Sequence, residues 1–239
     1  MRFAGSLLLV FSTAASAQWP GDQKIPPVSY PKLPKHAASV AAFVPKQWKL
    51  TDKAIGDLNG DRIPDAALAI WMDDPRNRIH PSYDPKYRYD TNPMMLIVLL
   101  GSKSGGFDLV TANHDLIPRR VNPNQDPPFH GVNIANGVLR VKMHEFLEAG
   151  GWWLGKKSFA FRWRDGALRL IGYDRDGIIK NTGDTEVVSI NYPALRMVVT
   201  KGTMSGEEPG RTETVTLPKK PLLTLAEVGD GLMFEPDEH

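Results

Sequence analysis

The chain has 239 residues, 41% of them hydrophobic, and 29 Lys and Arg against 27 Asp and Glu give a formal net charge of +2. This near balance, with no segment that concentrates basic and aromatic residues, excludes nucleic acid as the expected partner. The chain contains no cysteine, so disulfides are excluded and stability must come from packing or a bound metal.

The first 17 residues have the layout of a secretory signal peptide. Arg2 supplies the positive start, residues 3–11 form an apolar stretch, and small residues end at Ala17. We therefore expect a mature chain that begins near Gln18 and is periplasmic or secreted. No apolar run reaches the roughly 20 residues that a membrane span needs, so we predict no transmembrane segment.

Residues 18–45 are rich in proline, which blocks both helices and ladder hydrogen bonds. We predict an extended arm here, followed by a single β domain over residues 46–239. Within that domain, residues 66–72 (AALAIWM) and 94–100 (MMLIVLL) are short apolar runs between Asp, Pro and Gly. Such runs are typical of buried central strands.

Two hairpins are predicted from their turns, because Asn-Gly and Asp-Gly readily adopt the positive φ angles of two-residue turns. The turns are Asn136-Gly137 and Asp165-Gly166, and further strands are expected over residues 186–191, 196–201 and 213–217. No amphipathic helix longer than about ten residues is evident, and the best candidate for a short helix is residues 223–228. The fold class is therefore all-β and antiparallel, arranged as a meander, a propeller-like domain or a sandwich.

Two proline-rich stretches, residues 73–93 and 115–128, are too long for ordinary connections. The first contains Tyr83, Tyr87 and Tyr89 among several arginines, a composition that is common in protein interfaces. The alternative is a solvated loop that its tyrosines hold in place.

Residues 57–65 have the spacing of a calcium loop. Oxygen-bearing side chains occupy relative positions 1, 3, 5 and 9, at Asp57, Asn59, Asp61 and Asp65, and Ile63 would add its backbone carbonyl. Convergent carboxylate and amide oxygens favour a hard divalent cation, so we predict bound Ca²⁺. The alternative is an acidic turn between two strands.

The loop departs from the helix-loop-helix calcium site in two ways. Arg62 stands at the sixth position, where Gly normally allows a sharp bend, so backbone strain is expected. Leu68 stands at the twelfth position, where a bidentate Glu is usual. We therefore predict a loop between strands with a structural role.

Residues 57–65, followed by the apolar residues 66–70, resemble the calcium-binding segment of FG-GAP and VCBS-type repeats. Those repeats tile propellers, but this chain has one complete copy. The tetrapeptide at residues 174–177 (DRDG) imitates only the opening of a second loop. Repetition therefore does not support a complete propeller.

A wider resemblance covers residues 48–201. Its motifs are GGF at 105–107, PFHG at 128–131, NGVL at 136–139, FRWRDG at 161–166, LIGYD at 170–174 and SINY at 189–192. Together with the calcium loop, these motifs resemble a family of small exported bacterial proteins. Some members are periplasmic immunity proteins that inhibit lysozyme-like peptidoglycan hydrolases. The resemblance implies a similar protein partner for this chain.

An enzymatic constellation is not evident in the sequence. The six histidines have no metal-ligand spacing and no nearby nucleophile motif. Glu145 and Glu148 could be imagined as a glycosidase pair, but carboxylates this close in sequence are common on surfaces. We predict that the protein is not an enzyme.

An inhibitor needs an exposed loop with an aromatic or charged anchor. The predicted partner-binding residues are Trp152 and Trp153, which follow two glycines, and Tyr173 and Asp174, which precede an expected turn. The alternative places these aromatics in the core. A further functional alternative is a cell-envelope adhesion or scaffold module, with a structural calcium site and no inhibitory activity.

Overall fold

The computed structural model describes residues 24–81, 83–147, 152–206 and 210–236, so the expected signal peptide lies outside the described residues. Strands dominate this part of the chain and no α-helix occurs in it. The strands are β1 (His36–Ala37), β2 (Trp48–Gly56), β3 (Asp65–Met72), β4 (Arg78–Ile79), β5 (Tyr89–Asp90), β6 (Met94–Gly101), β7 (Phe107–Asn113), β8 (Phe129–Ala135), β9 (Val138–Phe146), β10 (Trp153–Arg164), β11 (Ala167–Ile179), β12 (Asp184–Asn191), β13 (Arg196–Thr203) and β14 (Arg211–Thr216).

The strands form two principal antiparallel sheets. The first has five strands in the order β1-β7-β6-β3-β2, and the second has seven in the order β14-β13-β12-β11-β10-β9-β8. Strands β4 and β5 pair separately. The all-β antiparallel prediction is confirmed, and the second sheet is a meander throughout. A propeller-like arrangement stays a prediction.

The central strands of the first sheet, β3 and β6, are buried on both faces. Ala67, Leu96 and Val98 face the second sheet and share a core with it. Their neighbours Leu68 and Ile97 face the opposite way, into a second cluster formed with the chain that precedes β2. Because both faces of β3 and β6 are covered, these strands are apolar without alternation.

Both predicted hairpins form. Asn136 and Gly137 have φ angles of 53° and 70°, and Asp165 and Gly166 have 50° and 74°. These turns join β8 to β9 and β10 to β11. Positive φ at both central residues matches the right-handed twist of the flanking strands.

The predicted helix at residues 223–228 is wrong. This segment runs beside β11, where the Leu170 N–H donates to the Leu223 carbonyl at 2.8 Å and the Leu225 N–H donates to the Leu168 carbonyl at 3.0 Å. Two of its backbone groups therefore pair with a strand, and the segment forms only a turn, in which the Glu227 N–H donates to the Thr224 carbonyl at 3.0 Å.

The proline-rich arm packs on the outer face of the first sheet. Residues 24–35 lack regular structure, and Val28, Tyr30 and Leu33 contact the second cluster. Strand β1 and the 3-10 helix Val40–Phe43 follow, so the arm is not extended throughout.

The arm is also held by the partly buried Arg119. Its Nη1 donates to the Pro26 carbonyl at 2.7 Å, and its Nη2 donates to Asn77 Oδ1 at 3.1 Å. One side chain thus ties the arm to both long loops.

No helix in the described ranges has the length and apolar character that a membrane span requires.

Candidate functional site

The predicted calcium loop connects β2 to β3. Its first carboxylate, Asp57, accepts hydrogen bonds from two backbone N–H groups further along the loop. Gly60 donates to Oδ1 at 2.6 Å and Arg62 donates to Oδ2 at 2.9 Å. The loop therefore curls around the side chain of Asp57.

The next two polar side chains repeat this arrangement. Asn59 Oδ1 accepts from the Asp61 N–H at 3.0 Å, and Asp61 Oδ1 accepts from the Ile63 N–H at 2.8 Å. The side-chain amide of Asn59 also donates to Asp61 Oδ2 at 3.1 Å. Alternate side chains consequently turn their oxygens towards the backbone of the loop.

Asp65 is the buried end of the loop. Its carboxylate accepts from the Leu58 N–H at 2.6 Å and from the Gly101 N–H, at the end of β6, at 2.8 Å. Burial raises the pKa of Asp65 and the charge of Asp61 adds to this rise, while the two N–H groups oppose it. Asp65 thus links the loop to a second strand.

Gly101 allows this close approach. A Cβ at position 101 would lie 2.5 Å from both Ile63 Cγ2 and the Pro64 carbonyl oxygen. A glycine is therefore required where the loop lies against the end of β6.

The donor set fits calcium chemically. Three carboxylates, one amide oxygen and the Ile63 carbonyl are hard oxygen ligands of the kind that Ca²⁺ takes. Among the described residues, no three His, Asp or Glu side chains are grouped closely enough to hold a metal as they stand. Ion binding would therefore require the loop carboxylates to converge.

Arg62 has a φ of 67°, as its position in the loop led us to expect. Left-handed backbone is unfavourable for a residue with a Cβ. The bend that a calcium loop needs at its sixth position is thus made without glycine.

A groove of about 460 Å³, open to solvent, adjoins the loop. It is lined by residues 57–60 on one side, and by Asn136, Gly137, Arg162 and Trp163 on the other. The sequence did not predict this groove, because its two walls come from hairpins of different sheets. In the sequence, only the residues of the two connections, 57–60 and Asn136-Gly137, could have indicated the groove.

The structure separates the four predicted partner-binding residues. Trp152 is 65% exposed and precedes β10. Asp174 lies on the solvent side of β11, where Oδ1 accepts from the Ser189 hydroxyl at 2.8 Å. No turn follows Gly172, because β11 continues without a break to Ile179.

Tyr173 is a core residue, so its assignment as a partner-binding anchor is wrong. Its side chain is fully buried, with ring centroids 5.1 Å from Phe159 and 5.3 Å from Phe234. Burial raises the pKa of its hydroxyl. Tyr173 lies on the inward face of β11, which continues past the position where the turn was expected.

Trp153 is half-buried over two glycines of the second sheet. A Cβ on Gly155 would lie 2.5 Å from Trp153 Nε1, and one on Gly177 would lie 2.3 Å from Cζ2. The Arg175 guanidinium lies 5.5 Å from the centroid of the indole. Trp153 is therefore held in place by its own sheet.

A buried charged cluster on the same face was missed by the sequence analysis. Lys157 is 4% exposed, donates to the Leu232 carbonyl, and lies 3.6 Å from Glu145. Burial lowers the pKa of Lys157 and raises that of Glu145. Lys157 lies two residues from the buried Gly155 and two from the buried Phe159 along β10. Because side chains alternate between the faces of a strand, this spacing could have indicated that Lys157 points inward.

Comparison with protein-family models, curated proteins and solved structures finds no significant match.

Proposed function

We propose that this is an exported calcium-binding β protein that binds another protein, and that the partner is a lysozyme-like peptidoglycan hydrolase, which it inhibits. The observation that carries the proposal is the curled loop from Asp57 to Asp65, with its oxygens at the spacing of a calcium site. The identity of the partner rests on the resemblance to exported immunity proteins.

Asp57, Asn59, Asp61 and Asp65 would hold the ion with their side chains, and Ile63 with its carbonyl. Bound Ca²⁺ supplies positive charge that offsets the repulsion among the three carboxylates. Because Asp65 also hydrogen-bonds Gly101, ordering the loop would fix the junction of β3 and β6. This supports a structural role for calcium.

The exposed end of the β10–β11 hairpin supports a protein-binding role. Trp152 is largely exposed, and Leu154 is also accessible on the outer side of the sheet. The Trp152 carbonyl accepts from the Lys180 N–H at 2.6 Å, which ties this residue to the end of the hairpin, and large apolar side chains held in this way provide contact area for a partner.

Thermal unfolding tests the calcium site. We expect excess Ca²⁺ to raise the midpoint over that in a chelator by about 5–10 °C, because an ion at 100 times its dissociation constant adds about 2.7 kcal/mol. Asp61→Ala should remove this difference. Asp176→Ala is the matched control, since this exposed aspartate belongs to the incomplete second motif. Equal midpoints with calcium and with chelator in the unmodified protein would refute the site.

Inhibition is tested separately, by the clearing of peptidoglycan suspensions by purified lysozyme-like hydrolases. We expect the calcium-loaded protein to slow the clearing by at least one of them, and Trp152→Ala to weaken the effect. Calcium stabilisation without inhibition of any hydrolase would instead favour the adhesion or scaffold alternative.

A further inference from the structure

The described residues of the two long loops, 73–81 with 83–93 and 115–128, bring these loops into contact. Three tyrosines of the first loop reach the second through their hydroxyl groups. Tyr83 donates to Asn124 Oδ1 at 3.4 Å, Tyr87 to the Pro123 carbonyl at 3.3 Å, and Tyr89 to the Val121 carbonyl at 3.3 Å. The contacts run in antiparallel order, so residues 83–89 of the first loop are joined to residues 121–124 of the second.

Arg120 lies within this junction. Its Nη2 donates to the Pro123 carbonyl at 2.7 Å and to the Tyr87 hydroxyl at 3.3 Å. Its guanidinium lies 5.6 Å from the centroid of the Tyr89 ring, which is nearly parallel to the Tyr87 ring. Two loops without long regular elements thus form one ordered surface.

This surface remains open to a partner. The exposed fractions are 53% for Tyr83, 39% for Tyr87 and 50% for Val121. We call the surface formed by Tyr83, Tyr87, Arg88, Arg120 and Val121 the tyrosine platform. Tyrosine and arginine dominate the energetics of protein interfaces, and an ordered surface loses little entropy on binding.

The two arginines of the platform have only neutral acceptors. Arg88 donates to the carbonyls of Arg78 and Pro75, at 3.1 and 3.3 Å, and Arg120 bonds the carbonyl and hydroxyl groups already described. In the part of the chain that the structure describes, no carboxylate lies within 4.0 Å of either guanidinium.

Three aspartates of the first loop pair with arginines, and Asp84 accepts the backbone N–H groups of Lys86 and Tyr87. Asp74 pairs with Arg76, and Asp73 and Asp90 pair with Arg78. Hydrogen bonds from Lys49 and Arg78 lower the pKa of Asp73, and those from Arg76 lower the pKa of Asp74. The positive charge of Arg88 and Arg120 is therefore not balanced within the platform.

We infer that the tyrosine platform docks an acidic protein surface, with Arg88 and Arg120 directed to its carboxylates. A guanidinium can bind a carboxylate through two parallel hydrogen bonds, while the exposed tyrosine rings and Val121 provide apolar contact. The inference goes beyond the proposed function, because it requires neither the calcium loop nor a hydrolase.

The test measures binding of fluorescently labelled poly-L-glutamate by anisotropy, with the full protein. We expect saturable binding that weakens when salt is raised from ~20 to ~200 mM. Arg88→Gln/Arg120→Gln should weaken the affinity by about tenfold. Arg196→Gln/Arg211→Gln is the control, since it removes the same charge from β13 and β14 and should change the affinity by less than about twofold.

Two further variants separate docking from loss of structure and from general charge attraction. Arg88→Gln alone removes an exposed side chain that bonds only carbonyls, so it keeps the test valid if the double variant does not fold. Tyr83→Ala leaves the charge unchanged and should still weaken binding.

Equal affinity for the platform and control variants would overturn the inference. Tighter, platform-dependent binding of dextran sulfate than of poly-L-glutamate would also overturn it, because the platform would then bind a sulfated polymer. The Arg88→Gln/Arg120→Gln variant also separates this inference from the proposed function. If the variant inhibits a hydrolase and binds polyglutamate as well as the unmodified protein does, this inference is refuted and the proposed function stays in place.

Discussion

The carboxylate of Asp52 on β2 accepts a hydrogen bond from the backbone N–H of Val132 on β8, with Oδ2 2.9 Å from the nitrogen. The contact joins the edge strand of the first sheet to the edge strand of the second. It occurs beside irregular pairing in both, between Leu50 and Asp52 in β2 and between Phe129 and Gly131 in β8. A side chain thus satisfies an N–H group at the junction of the two sheets.

We therefore expect Asp52→Ala to lower the free energy of unfolding by about 1–3 kcal/mol, because the N–H of Val132 loses its acceptor. Urea unfolding provides the measurement. Asp52→Asn keeps one acceptor oxygen and should therefore lower the free energy of unfolding by less than Asp52→Ala does. A loss as large in the asparagine variant would indicate that the charge matters more than the hydrogen bond.

Arg62→Gly should stabilise the protein. Left-handed backbone costs a residue with a Cβ about 1–2 kcal/mol, and the added freedom of glycine in the unfolded chain offsets about 0.5–1 kcal/mol of that. The expected gain in unfolding free energy is about 0.5–1 kcal/mol. Arg62→Ala separates backbone from side-chain effects, because it keeps the Cβ. The glycine variant must exceed the alanine variant in stability for this explanation to hold.

Gly177→Ala should destabilise the protein by about 1–3 kcal/mol, because the new Cβ would overlap the ring of Trp153 and the Leu154 carbonyl. Gly202→Ala is the control, since its Cβ would meet its nearest atom, Thr185 Oγ1, at 3.3 Å. Adding Trp153→Leu to Gly177→Ala should recover part of the lost free energy of unfolding, measured in urea. An equal loss in Gly202→Ala would contradict the packing explanation.

Lys157 should make stability depend on pH. Burial lowers its pKa, while the charges of Glu145 and Glu235 oppose this and that of Arg175 adds to it. Protonation is then less favourable in the folded chain than in the unfolded chain. Its contribution to stability is present above the ordinary lysine pKa of about 10.4 and decreases as the pH falls towards the lower folded-state pKa.

The stability of the unmodified protein relative to Lys157→Met should therefore rise when the pH is increased from about 8 to about 10.5. Lys156→Met provides the control, because Lys156 is exposed on the other side of β10. Urea midpoints of all three proteins at the two pH values give the comparison. A constant difference between the unmodified protein and Lys157→Met would contradict the buried-lysine explanation.

The sequence was sufficient where local chemistry determines the structure. The apolar runs at residues 66–72 and 94–100 predicted buried strands, and Asn136-Gly137 predicted its turn from the φ angles that these residues tolerate. The spacing from Asp57 to Asp65 likewise predicted where polar side chains gather, although calcium itself stays a proposal. Each of these patterns depends on neighbours within about ten residues.

Only the tertiary structure decided which side chains are available. Trp152 and Tyr173 were equivalent candidates in the sequence, but one is exposed and the other lies between Phe159 and Phe234. The tyrosine platform and the buried Lys157 also depend on segments that are distant in sequence. Burial is determined by which sheet face or chain segment covers a residue, and local periodicity alone does not specify that partner.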